Sequence, residues 1–512
     1  MKLMKNQACL AASFALCLLS ISTRADAKDF FLTIGGGASP TGNQASLEKN
    51  VLFFQRLLRE QTQDLSHNDI YFADGLAAGH DLQVMDRDSV PQANRLMAEF
   101  FGSQRNLGLL YRNHEVVGVR GDTSPARIRS WFGDVGSTMR SGDRLVLYVT
   151  AHGSSSDDRD SPHDTTISLW NNRKIRVSEV VGLLDKLPQG VRVVAVMVQC
   201  HAGGFARFIY NEGDPNKGLS TQQRCGFFAT VHDRPAAGCT PEINEATYVE
   251  YSTYFWEAIA GHTRTGKPID IPDYDGDGGV SFAEAHAYTV LTANTIDLPI
   301  TTSGEFLGIE SLFANDRYPE LLSDAAKWDA VLQLATPVER AILEGLSGQL
   351  KLSGGNRIED AREQAQQLRR GSRSQRGGSR GRQLNPSSQL RQKIASDLKR
   401  RWPELANVLN PVAVDFLTTR RKEFIAAVEG HRDYKRYREQ VESVSVQPNA
   451  EKQKVKYERF VRTAENVILR ENLRLLDDTK RLQQYHAILE AESQSLSNVV
   501  PAKTDAAIVP RD

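Results

Sequence analysis

The chain has 512 residues, 40% of them hydrophobic and 25% charged, which is enough for a large core, points to two or more domains and excludes a wholly disordered protein. Its 63 basic residues balance 63 acidic ones, so net charge selects no polyanionic or polycationic partner.

At the N-terminus Lys2 and Lys5 precede an apolar run from about Ala8 to Ile21, and Ala25-Asp26-Ala27 has the small-x-small form of a signal-peptidase cleavage site. Residues 1–27 are therefore expected to be a removed signal peptide, and the mature chain to be exported, periplasmic or secreted. The run is too short to span a bilayer comfortably, and no later segment offers about 18 consecutive apolar residues, so no membrane span is expected in the mature chain. Cys9 and Cys17 leave with the signal peptide. Export puts Cys200, Cys225 and Cys239 where disulfides form; pairing Cys225 with Cys239 across Arg234-Pro235-Ala236-Ala237-Gly238 would leave Cys200 as a free thiol.

From Lys28 to about Asn294 short apolar strands alternate with amphipathic helices, which predicts an α/β domain with a mainly parallel sheet flanked by helices. Phe30–Ile34 reads as a strand, Leu47, Val51, Phe54, Leu57 and Leu58 fall on one helical face, and Asp69–Phe72 reads as the next strand. Ser124-Pro125 opens a helix carrying Ile128, Trp131, Phe132, Val135 and Met139. Strand Arg144–Thr150 follows, then a hairpin of Thr166–Trp170 and Lys174–Val177 around Asn171-Asn172, with Ser178 as the cap of a helix to Leu187. Val191–Gln199 is almost wholly apolar, as a strand covered on both faces must be. Phe227–Val231 is the next expected strand and Thr247–Ala260 a helix; further helices over 312–352 close a domain spanning 28–352.

Residues 353–387 are rich in Gly, Ser, Gln and Arg, with six arginines and no acid within 369–382, and are expected to be a flexible interdomain linker. From 388 to 498 the charged, helix-forming sequence predicts a separate helical bundle or coiled-coil-like hairpin that can engage a protein partner, with a disordered tail over 499–512. The arginine-rich stretch has no interleaved aromatic residues, so no nucleic-acid partner is expected.

Two features carry chemistry. The apolar run Leu145–Ala151 ends in His152-Gly153, and Val193–Gln199 ends in Cys200-His201-Ala202-Gly203-Gly204. Parallel sheets form sites at the carboxyl ends of their strands. There His152 can act as base for a Cys200 nucleophile, and the N–H groups of Gly153 and Cys200 can receive the oxyanion of an attacked amide. Second, Asp273-Tyr274-Asp275-Gly276-Asp277-Gly278-Gly279-Val280-Ser281-Phe282-Ala283-Glu284 matches an EF-hand calcium loop, with Asp273, Asp275, Asp277, the Gly279 carbonyl, Ser281 and Glu284 at the ligand positions. Pro268 and Pro272 exclude the usual entering helix, which makes this a lone loop, and its hard oxygen ligands suit Ca2+.

A hydrophobic strand ending His-Gly, followed 48 positions later by Gln199-Cys200 at the end of another, resembles the caspase, legumain, clostripain and gingipain group of cysteine peptidases over roughly Lys28 to Asn294. The run Tyr148–Ser154 is the more legumain-like part, while Gln199-Cys200-His201-Ala202-Gly203 departs from the caspase string, which leaves cleavage specificity open. The resemblance implies a caspase-hemoglobinase-like fold and a cysteine endopeptidase acting on protein or peptide substrates, with His152 and Cys200 as catalytic pair and Gly153 as oxyanion donor. It also implies that Asn43 and Gln44, after the first strand, help form the pocket for the residue before the cut; Asp233 is a further candidate pocket wall that would favour a basic side chain. Calcium dependence within the group implies a bracing role for the 273–284 loop. The competing reading is a calcium-stabilised, catalytically inactive binding module.

Overall fold

The computed structural model describes residues 27–377, 385–446 and 449–496. The expected signal peptide up to residue 26, residues 378–384 of the expected linker and the expected tail at 499–512 lie outside the described residues.

Five parallel strands form the centre of the molecule. β1 (Asp29–Gly36) pairs on one side with β2 (Asn68–Phe72) and on the other with β6 (Arg144–Ser154), which pairs with β9 (Arg192–Met197), which pairs with β10 (Arg224–Phe228). β5 (Val119–Gly121) extends the sheet beyond β2, and the short antiparallel β11 (Ile300–Thr301) closes it beyond β10. β3 (Leu82–Met85) and β4 (Leu109–Arg112) form a separate small antiparallel sheet. The hairpin β7 (Thr166–Leu169) and β8 (Arg173–Arg176) pairs with the carboxyl end of β6. Its turn residues Asn171 and Asn172 have φ of 60° and 55°, the left-handed pair that a two-residue hairpin turn demands.

Helices cover both faces, because alternate strand residues are apolar on both sides. Leu145, Leu147 and Val149 of β6, with Val193, Ala195 and Met197 of β9, pack under α3 (Pro125–Asp134) and α4 (Val177–Leu184). Val146, Tyr148, Val194 and Val196 pack on the other face under α1 (Ala45–Gln61), α5 (Tyr251–Ala260) and α6 (Phe282–Thr292). Ser124 caps α3, accepting the Arg127 N–H, with Pro125 in the first turn as expected. Ser178 is not the cap of α4. Arg176 holds that position, its N–H donating to the Glu179 carboxylate at 3.1 Å, and Ser178 turns instead to Asp164.

The carboxyl-terminal half differs from the expectation in two ways. Residues Arg357–Gly377 are helical, not a flexible linker. Ile358 and Ala361 are buried, and Ala365 and Leu368 continue the same stripe, so a helical apolar face overrides a composition that reads as linker. Nor do the later helices form a detached bundle. In chain order α2 (Gln92–Phe100), α7 (Thr302–Glu310), α8 (Trp328–Leu334), α9 (Pro337–Leu350) and α10 (Arg357–Gly377) precede α11 (Pro386–Arg401), α12 (Pro411–Asp415), α13 (Arg421–Glu429), α14 (Tyr434–Val446), α15 (Ala450–Leu475) and α16 (Thr479–Glu492). Helices α11 to α14 share a core with Leu96, Met97 and Phe100 of α2. Leu469, Leu473, Tyr485 and Ile488 of α15 and α16 join the main sheet core. The segment after α16 is tied down as well, since the buried Arg144 pairs with Asp29 at 2.6 Å and donates to the carbonyls of Ser495 and Leu496. Among the described residues, no helix is long and apolar enough to cross a membrane.

Glu492, at the end of α16, is 3% exposed and accepts from Thr302 Oγ1 (2.7 Å), the Ser303 N–H (2.8 Å) and Ser303 Oγ (2.6 Å). Burial outweighs these bonds and pushes its carboxyl from an ordinary 4.5 up to about 7. The folded chain then holds a proton that the unfolded chain releases. The group's contribution to stability is therefore complete below pH 4.5 and is lost as pH rises through 7. Glu492→Gln is expected to flatten that slope, unchanged near pH 4.5 and more stable than the parent at pH 8 by on the order of 2 kcal/mol, read from denaturant melts at both pH values.

Candidate functional site

β6 and β9 run side by side in parallel register, with Val149 opposite Met197 and the Val198 N–H donating to the Val149 carbonyl at 3.0 Å. Their carboxyl ends therefore open on the same rim, with His152 on one and Cys200 just beyond the other. Gly153 lets the two strand ends lie against each other. A Cβ at that position would lie 2.1 Å from the Cys200 carbonyl oxygen and 2.7 Å from Gln199 Cγ, so only glycine lets the two ends approach so closely.

The imidazole of His152 is half-buried, and its Nε2 lies 2.8 Å from the Gly42 carbonyl oxygen. A carbonyl can only accept, so Nε2 carries the hydrogen and Nδ1 keeps the lone pair of a base. No side-chain pattern could announce this partner, because every residue offers a carbonyl. Gly42 belongs to the loop after β1, and Asn43 holds that loop in place. Asn43 is fully buried, accepts the Gly37 N–H at 3.0 Å and donates to the Asp81 carbonyl and carboxylate at 3.1 and 3.0 Å. With both ends of its amide used inside the protein, Asn43 is a loop brace, not the pocket residue expected from sequence. Gln44 follows as the residue preceding α1, where its Oε1 is buried without a hydrogen-bond partner.

Cys200 sits in a turn between β9 and a 3-10 helix over Ala202–Ile209. His201 has a φ of 61°, and a Cβ on Gly203 or Gly204 would strike the Val231 backbone at 2.6 Å or the His163 carbonyl at 2.4 Å. Among the described residues the Cys200 N–H donates to no backbone carbonyl, as an oxyanion donor requires. The thiol accepts the Ala236 N–H at 3.2 Å. Burial pushes it above its ordinary range and the Ala236 N–H partly offsets this, with Asp297 raising it further. The Ala236 loop is tethered at both sides of the thiol. Arg234 donates to Glu458 of α15 at 2.5 and 3.1 Å, and the Ala237 N–H donates to Asp297 at 2.6 Å. This loop was not legible as a cover for Cys200, since its anchors lie far along the chain.

His201 donates its Nδ1–H to the His232 carbonyl (2.8 Å), and His232 packs against His163 with ring centroids 3.7 Å apart. Burial drives His163 down to about 3, which keeps it neutral. Asp233 is exposed beside this pair, facing His163, His232 and Arg462 electrostatically.

The three cysteines among the described residues, Cys200, Cys225 and Cys239, are free. The expected Cys225–Cys239 disulfide is absent because Cys225 is locked inside β10 between the two layers, while Cys239 lies on an exposed loop.

The acidic loop closes as its spacing requires. Single oxygens of Asp273, Asp275 and Asp277 lie within 4.8 Å of one another, and Gly276 and Gly278 take φ of 77° and 93°. The three carboxylates are aimed by backbone donors: Asp273 accepts from Gly276 and Gly278, Asp275 from Asp277, and Asp277 from Gly279. Glu284 is fully buried and reaches back to the loop, accepting the Tyr274 and Asp275 N–H groups at 2.6 and 3.2 Å. It also forms a reciprocal cap with Ser281, whose hydroxyl donates to it at 2.9 Å. The gathered atoms are hard carboxylate oxygens of Asp273, Asp275 and Asp277, while Ser281 and Glu284 are engaged with each other at the start of α6. No helix enters the loop, as the prolines demand.

No family model and no curated protein matches the chain. Among solved structures, the crystal structure of protein GSU0716 from Geobacter sulfurreducens matches with 11% identity and a TM-score of 0.31, covering 54% of this chain and 92% of that one. The fold defines the chain as an α/β protein with a mostly parallel sheet and a carboxyl-terminal helical region packed onto it.

Proposed function

We propose that the chain is an exported, calcium-stabilised cysteine endopeptidase of the caspase-hemoglobinase kind, with Cys200 as nucleophile and His152 as base. The observation that carries this reading is the contact of Gly153 with the Cys200 carbonyl at the carboxyl ends of two adjacent parallel strands. Cys200 Sγ attacks the peptide carbonyl carbon while its proton passes to His152 Nδ1, and the oxyanion takes hydrogen bonds from the Gly153 and Cys200 N–H groups. Collapse breaks the C–N bond, with the amine leaving on the proton held by His152. Water then adds to the thioester, giving up its proton to His152, and release of the acid returns the thiol. Gly42 holds the imidazole in the tautomer this sequence needs.

One observation favours the inactive alternative: burial pushes the thiol above its ordinary range, and the sulfur is engaged by the Ala236 N–H. An electrophilic thiol probe separates the readings. Labelling of Cys200 that collapses in His152→Ala supports the enzyme; labelling indifferent to His152, with no cleavage of a peptide library, supports the binding module.

For the calcium loop, Ca2+ at a hundredfold excess over its dissociation constant is expected to stabilise the parent by about 2.7 kcal/mol. Asp275→Asn is expected to lose most of that gain, as measured by thermal melting with and without Ca2+.

A further inference from the structure

A second group of ligand atoms lies apart from the acidic loop. We propose that Asp74, Asp81 and His114 form a binding site for a divalent transition metal of the Zn2+ type. One ligand atom from each lies within 4.8 Å of the others. The residues come from the segment after β2, the position just before β3 and the segment after β4, so the strand ends bring them together. His114 Nε2 is 2.7 Å from the Gly75 carbonyl and must donate to it, which turns the lone pair of Nδ1 into the cluster. Such a carbonyl partner on the far nitrogen is how ligating histidines are oriented.

Two of the inward atoms, Asp74 Oδ1 and His114 Nδ1, are buried and have no hydrogen-bond partner among the described residues. The third ligand, Asp81, is 3% exposed and aimed by the His114 N–H (3.1 Å) and Asn43 Nδ2 (3.0 Å). An orphaned imidazole nitrogen facing two carboxylates, with no basic side chain bonded to them among the described residues, fits a cation better than a water. One nitrogen and two carboxylate oxygens leave a fourth tetrahedral position open, and the imidazole selects Zn2+ over the all-oxygen preference of Ca2+. Bound metal would also stiffen the loop that presents the Gly42 carbonyl to His152, because Asn43 joins Asp81 to that loop.

The test uses the full chain carrying Cys200→Ala, which removes a competing thiol, stripped with chelator and saturated with Ca2+ to fill the oxygen loop. Zn2+ is titrated calorimetrically and Co2+ by its visible absorption. One equivalent is expected to bind, with tetrahedral Co2+ bands, and Asp74→Asn and His114→Gln are each expected to weaken it at least thirtyfold while Asp275→Asn leaves it unchanged. His114→Gln alone decides the matter should Asp74→Asn fail to fold. Absence of binding, as for two carboxyls sharing a proton, or equal affinity in His114→Gln and the parent would overturn the proposal.

Discussion

Gly153→Ala is expected to lower peptide turnover by about a thousandfold or more, close to the background left by Cys200→Ala. The first link is steric. The added methyl would sit 2.1 Å from the Cys200 carbonyl oxygen and 3.1 Å from its carbon, both backbone atoms that cannot swing away. The ends of β6 and β9 must therefore part, shifting the Gly153 N–H and the thiol together. Loss of one oxyanion donor alone is worth about 10²–10³ in rate, and misplacement of the nucleophile adds to it. Melting curves accompany the assay, because the same clash destabilises the fold. A turnover within tenfold of the parent would mean that this contact has no part in chemistry. Comparing Cys200→Ala with Gly153→Ala separates lost sulfur from lost geometry: the first is expected to keep the parent's stability, the second to lower it.

The sheet was legible because its strands are buried on both faces. Runs such as Val193–Val198 have no polar residue to confuse the pattern, and His152 and Cys200 end two of them. The gathering of the Asp273, Asp275 and Asp277 carboxylates was legible because they lie close together along the chain. What escaped the sequence is what depends on distant segments or on backbone. The Gly42 carbonyl carries no residue signature, and the Asp74–Asp81–His114 group is spread over three segments that only β2, β3 and β4 bring together. Asn43 was misplaced because its position after β1 suits a pocket, whereas its amide is wholly consumed by Gly37 and Asp81. The arginine-rich segment misled by composition; its sparse apolar stripe from Ile358 to Leu368 was sufficient once α15 offered a surface.

Arg459→Met is expected to cost on the order of 4 kcal/mol of stability and, in the fraction that stays folded, to speed alkylation of Cys200 severalfold. Arg459 is 2% exposed, and its guanidinium donates to the carbonyls of Val290 (3.0 Å), Ala293 (2.6 Å) and Asp297 (2.9 Å) and to Thr295 Oγ1 (2.9 Å). Methionine fills much of the volume but leaves these buried acceptors without a donor, each a loss of about 1–3 kcal/mol before relaxation. The segment so released carries Asp297, whose carboxylate anchors the Ala237 N–H one residue from the amide on the Cys200 thiol. A helix near the chain's end thus sets the exposure of a cysteine in the sheet domain. Glu458→Ala, which removes only the half-exposed tether to Arg234, isolates the loop from the core: stability is expected to fall by less than about 1 kcal/mol while labelling still accelerates. Labelling rates at parent level in both variants would show that the loop opens without hindrance from α15.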